Sequence, residues 1–263
     1  MCVGEVTELG EDVGEFRLGQ KVAGYGGIRE EHVWDANNTR TLPQGVPWQA
    51  AVCLDPANFA LGAIRDGHVR LDDAVAVFGM GAIGLMAVQF AKIAGAFPVI
   101  AVEPVPLRQN IAAKCGADLV FDPTTSDAGL EIKKATDRRG ADVSIEYSGH
   151  SSALQAAIRG AAYGSNVVCG AWAKPFDAGL DFGSEAHFNR VSIVFTRSCS
   201  EPNPDHPSWD EDRLLDVAWC HLMSGVVSCE KVVTPMVRFD ELAQAYPKIV
   251  DPTENVKIEV EFS

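Results

Sequence analysis

Gly79-Met80-Gly81-Ala82-Ile83-Gly84 sits between an apolar pentad, Ala74 to Phe78, and a helical run that opens Leu85-Met86-Ala87-Val88. A strand, a glycine turn and a helix in that order form a cradle for a pyrophosphate. The first glycine allows the tight turn, the second lets backbone approach the phosphates, and the third lets the helix lie close on the strand. A second apolar strand, Val99 to Val102, follows one helix later and ends in Glu103, nineteen residues beyond Gly84. An acid there accepts both hydroxyls of an adenosine ribose and repels a 2′-phosphate, so the expected cofactor is NAD rather than NADP.

Further along, Ser148-Gly149 and Gly170-Ala171 close two more apolar strands, which places them beside the adenosine and nicotinamide halves of such a ligand; plain turn glycines are the alternative. Arg108, five residues past Glu103, either stacks its guanidinium on the adenine or is simply solvated. Asp55 precedes Pro56, and this pair reads first as a helix N-cap followed by a proline in the first turn, second as a catalytic or ligand acid. The six histidines are dispersed, with no partner at ligand spacing, so no metal site is expected; His150, next to Gly149, is the one nearest the crevice.

These residues need a scaffold that brings strand ends together. Leu119 to Phe121, a polar helix near Ala128 to Thr136, Val143 to Glu146, a helix from Ser151 to Ala161, Asn166 to Cys169 and Val191 to Phe195 alternate strand with helix. That alternation predicts a doubly wound parallel sheet, with the ligand crevice at the carboxyl ends of its strands. Residues 1–50 are glycine-rich and β-branched, and Val256 to Phe262 alternates apolar with polar, so the two chain ends are expected to form a β-rich lobe, with helices over Trp209 to Ser224 and Asp240 to Val250 between. The expected division is 1–55 and 201–263 for that lobe and 56–200 for the nucleotide-binding domain.

Composition narrows the partners. With 36 acidic against 22 Lys and Arg side chains, the net charge of −14 repels nucleic acid and anionic membranes. The seven cysteines are scattered and form no C-x-x-C pair, which reads as reduced thiols in a cytoplasmic protein. No apolar run reaches the ~20 residues of a membrane helix, and the charged first residues do not read as a signal peptide.

Gly4-Glu5-Val6, Gly10, Val13, Phe16, Gly19 and Val22, with the glycine turn, the stretch from Arg108 to Gly116-Ala117-Asp118 and the terminal strand, resemble the zinc-type alcohol and polyol dehydrogenase branch of the medium-chain dehydrogenase/reductase superfamily. The resemblance implies a GroES-like catalytic domain split around a Rossmann domain, NAD-linked oxidation of a small alcohol or polyol, zinc in full-length relatives, and a homodimer or homotetramer built through Val191 to Phe195. It also implies that the N-terminal part of the catalytic domain is missing. Relatives carry Gly-His-Glu and Cys-Gly-x-Asp-like ligand segments ahead of the point where Met1 stands, and of their ligand acids only the position of Asp55 remains. Two functions are thus expected to compete: a dehydrogenase, or an NAD(H)-binding pseudoenzyme or partner subunit without catalysis of its own.

Overall fold

The computed structural model describes residues 1–172, 179–197, 208–249, 251 and 253–262. Its centre is a six-stranded parallel sheet built from β4 (Val75–Phe78), β5 (Val99–Val102), β6 (Leu119–Phe121), β7 (Ala141–Glu146), β8 (Ala161–Cys169) and β9 (Ser192–Phe195), in the spatial order β6-β5-β4-β7-β8-β9. β4 is central because all four of its side chains are buried. A strand covered on both faces reads as an unbroken apolar run, and Val75-Ala76-Val77-Phe78 is one. The order reverses between β4 and β7, so the crevice opens at the carboxyl ends of those two strands.

Helices cover both faces. On one side α2 (Leu54–Asp66) and α3 (Ala82–Ile93) pack together, joined by α8 (Glu211–Met223), around Leu61, Ile64, Met86, Phe90, Ala218 and Leu222. On the other, α5 (Ala128–Ala135) and α6 (Ser151–Gly160) bury Ile132, Leu154 and Ile158 against Phe78 and Ile100. Gly160 permits that second layer, since a Cβ there would meet the Ile132 side chain at 3.0 Å. α4 (Pro106–Lys114) links β5 to β6, and a short α7 (Glu185–Asn189) precedes β9.

The chain ends supply the remaining β structure. β1 (Cys2–Glu5), β2 (Lys21–Gly24) and β3 (Arg40–Thr41) form an antiparallel sheet, while β10 (Val233–Arg238) and β11 (Lys257–Glu261) form a parallel pair. Among the described residues these two sheets share no ladder. A short helix, α1 (Trp48–Val52), occupies a stretch whose sequence shows few helical signals, and α9 (Leu242–Ile249) precedes β11. The expected helix and strand ranges otherwise agree within two residues, except that β8 starts well before its apolar core suggests. Residues 201–207, Cys199 and Val250, the last residue of the expected helix from Asp240, lie outside the described residues. No helix of the described residues is long and apolar enough to cross a membrane.

Candidate functional site

The glycine turn is built by three different constraints. Gly79 has φ 87°, where side chains are strained, and its amide donates to the Val102 carbonyl at 2.9 Å, tying the end of β4 to the end of β5. A Cβ on Gly79 would also lie 2.7 Å from the Ser148 nitrogen, so the loop after β7 leans directly on the turn. Gly84 is tighter still, because its Cβ would stand 1.9 Å from the Gly79 carbonyl oxygen. Gly81 is the opposite case: nothing lies within 4 Å of its Cβ position. Close packing at the first and third glycines leaves an open space at the second.

That space faces the start of α3. Gly81 is the N-cap residue and no side chain caps the helix. The first intrahelical bond runs from the Leu85 amide to the Gly81 carbonyl at 3.0 Å. The amides of Ala82, Ile83 and Gly84 precede it, which makes them the first-turn donors of an uncapped helix, aligned with a positive dipole end. Such an arrangement accepts an anion.

Glu103 stands beside it, one strand over. Its Oε2 accepts from the Met80 amide at 2.6 Å and its Oε1 from the Val105 amide at 3.0 Å, and the residue is only 3% exposed. The carboxylate is therefore held against the glycine turn by backbone on both sides. Arg108 is half-buried, and its Nε donates to the Asn255 carbonyl at 3.1 Å, joining α4 to the segment before β11. A partner 147 residues away leaves no local trace in sequence.

The loop after β7 is organised by Glu146, an acid that the sequence reading treats only as a strand end. Its buried Oε1 accepts from the Ser148 amide at 2.6 Å, from the Gly149 amide at 3.0 Å and from the Ser148 hydroxyl. Burial pushes the Glu146 carboxyl above the usual glutamate range, although all three hydrogen bonds pull the other way. The signal was an acid closing an otherwise apolar strand just before Ser-Gly. His150 follows as the N-cap residue of α6, exposed and without a side-chain cap bond.

Gly170 and Ala171 both donate their amides to the Glu146 carbonyl, at 3.0 and 3.2 Å, which seats them beside the end of β7. Gly170 is required by packing: a Cβ there would fall 2.3 Å from the Tyr147 ring, whose hydroxyl donates to the Phe59 carbonyl of α2 at 2.8 Å. Next to them burial, and then Glu146, push the Cys169 thiol up to about 11, so it is held as a thiol at neutral pH.

Asp55 corrects its first reading. It lies exposed within the first turn of α2, whose N-cap is Cys53, and no side chain makes a cap bond there. Helix begins two residues earlier than the Asp-Pro pair suggests because α1 runs almost directly into α2. Its charge reaches Tyr25, whose hydroxyl pKa is raised above its ordinary range by burial and then by Asp55. Among the described residues no three His, Cys, Asp or Glu side chains come together as a metal site.

Comparison with known proteins agrees with this architecture. A family model described as zinc-binding dehydrogenase matches residues 82–210. The chain is 46% identical over 267 residues to D-guloside 3-dehydrogenase of Escherichia coli K12, covering all of this chain and 76% of that protein. It is 28% identical to (R,R)-butanediol dehydrogenase of Bacillus subtilis, covering 97% of this chain and 78% of the relative. A solved alcohol dehydrogenase from Escherichia coli CFT073, complexed with NADH, superposes with a TM-score of 0.80 at 22% identity, over 97% of this chain and 81% of that one. The chain belongs to the zinc-binding dehydrogenases, in the alcohol and polyol branch of the medium-chain dehydrogenase/reductase superfamily, and is an alcohol-dehydrogenase-like oxidoreductase by family.

Proposed function

We propose that the chain binds NAD(H) in the crevice above Gly81 and serves hydride transfer between the nicotinamide and a polyol or sugar-like alcohol. The observation that carries this reading is the open, uncapped start of α3 at Ala82 to Gly84, with the Glu103 carboxylate anchored one strand away. The helix amides bind the pyrophosphate. Glu103 has one backbone amide on each oxygen, and a carboxylate oxygen has a further lone pair for the ribose hydroxyls. Its charge favours NAD over NADP.

Ser148 and Gly149 bound the adenosine side of the crevice, and Gly170 and Ala171 the nicotinamide side. When bound, the nicotinamide supplies the hydride chemistry, and the residues of this chain hold and orient it. The substrate class rests on the relative's name, a dehydrogenase of a guloside. The zinc of the family name has no donor set among the described residues, so no step is derived through it. Asp55 lies exposed and belongs to no cluster of three potential ligands among the described residues, so it stands as a lone acid in the first turn of α2. The reduced thiols suit a cytoplasmic protein.

β9 is the outer strand of the sheet and carries Phe195 at 81% exposure, with Tyr163 and Phe188 also exposed. Pairing of this edge between two copies is the proposed route to a homodimer or homotetramer, and Phe195→Asp should shift the species seen by light scattering toward the single chain.

Fluorescence titration tests the cofactor half: NADH should bind at least about tenfold tighter than NADPH, a difference of ~1.4 kcal/mol. Turnover on polyols and glycosides, read at the nicotinamide absorbance, tests the other half. Binding without turnover would leave a nucleotide-binding protein without chemistry of its own. No binding of either nucleotide would reject both.

A further inference from the structure

On the helical face away from the crevice, α2, α3 and α8 leave a groove of about 390 Å³. Its floor is aliphatic and aromatic: Leu61 and Ile64 from α2, Phe90 and Ile93 from α3, and Val217 from α8. Its rim is basic. Arg65 and Arg70 line it together with His68 and His221, and no carboxylate lines it among the described residues.

That charge is the reverse of the molecule's. In a chain with 36 acidic against 22 Lys and Arg side chains, an unselected stretch of surface would carry more carboxylates than guanidiniums. The arginines are also concentrated here against like charge. The guanidiniums of Arg65 and Arg213 lie 3.5 and 4.2 Å from the Trp209 ring centre. Burial, and then the charge of Arg213, hold Arg65 below its usual value, with Asp66 offsetting part of this. Two guanidiniums over one indole repel each other, and an anion in the groove relieves that repulsion.

We propose that this groove is a binding site for a medium-chain alkyl carboxylate, its chain on the Leu61, Ile64, Phe90 and Val217 floor and its carboxylate between Arg65 and Arg70. The volume lies within the range of small-ligand pockets, about 300–1,000 Å³. The lining chooses the ligand's two parts: buried methylenes gain about 0.8 kcal/mol each, and a carboxylate takes charge-assisted bonds from guanidinium donors. Aliphatic side chains dominate the floor and the guanidiniums already lie over the Trp209 ring, so an alkyl chain suits the groove better than an aromatic ring. The site is independent of the dinucleotide crevice, and its test is independent of cofactor binding.

Calorimetric titration of the full chain with decanoate, with decanol and with inorganic sulfate separates the two features. Decanoate should saturate one site per chain, with decanol and sulfate each weaker by about tenfold or more. Arg70→Gln, at an exposed position, should weaken decanoate about tenfold, and Val217→Glu, which puts a carboxylate into the floor, should abolish binding. NADH affinity should stay unchanged in both variants. The proposal is overturned if decanol or sulfate binds as tightly as decanoate, if decanoate uptake does not saturate, or if neither variant alters it.

Discussion

Glu103 and Met80 meet through a 2.6 Å hydrogen bond from the Met80 amide to Oε2, which ties the acid at the end of β5 to the middle of the glycine turn. The second oxygen takes the Val105 amide at 3.0 Å, so one buried carboxylate satisfies two main-chain donors that sit on different loops. The orientation of the acid is thus fixed by the fold before any ligand arrives. This is preorganisation, and it also makes the residue structural.

Glu103→Ala should therefore do more than weaken a nucleotide. A buried amide at Met80 and a partly buried one at Val105 would lose their acceptor, each at a cost of about 1–3 kcal/mol. Urea unfolding should show a loss of about 2–6 kcal/mol. An unchanged midpoint would mean that water replaces the carboxylate at both amides.

Glu146 gives the pH dependence. Its folded value is raised above the ordinary glutamate range by burial, so the native state holds its proton more tightly than the unfolded chain does. Stability from this group is full below the ordinary glutamate value and is lost as pH rises toward the folded one. Glu146→Gln removes that titration. The difference in melting temperature between parent and variant should thus move in the variant's favour as pH rises from the ordinary glutamate range upward, and a pH-independent difference would contradict the direction.

Gly170 and Tyr147 form a coupled pair. Gly170→Ala drives a methyl into a ring that is anchored to the Phe59 carbonyl, and overpacking of this kind costs about 1–3 kcal/mol. Tyr147→Ala leaves a void and removes that bond. The double variant should be less destabilised than the sum of the two, since the methyl then has room, and a double-mutant cycle measures this directly. Strict additivity would place the Gly170 constraint elsewhere.

Much of the sheet was legible because a strand buried on both faces must be apolar throughout, as at Val75 to Phe78 and Val99 to Val102. The glycine turn was legible for the same kind of reason: φ 87° at Gly79 and the 1.9 Å approach at Gly84 exclude other residues. Contacts between distant segments were not. Nothing near Arg108 announces the Asn255 carbonyl, and nothing near Gly170 announces the Tyr147 ring. The cap of α2 was misplaced by a local rule: Asp-Pro reads as a helix start unless a preceding helix, here α1, has already set the backbone direction. Glu146 was visible as a residue but its task was hidden, since the amides it gathers are positioned by the turn itself.

The central claim is that the space over Gly81 holds the pyrophosphate of NAD(H), and Gly81→Asp tests it most directly. Gly81 caps α3 with φ −71° and ψ −175°, a conformation that aspartate adopts readily, and aspartate is the better N-cap by a few tenths of a kcal/mol. The same carboxylate fills the open space and sets a negative charge against the phosphates. Titrated by NADH fluorescence alongside a thermal melt, the variant should melt at or slightly above the parent and show no NADH binding. An equally stable variant that binds NADH with the parent's affinity would contradict the account.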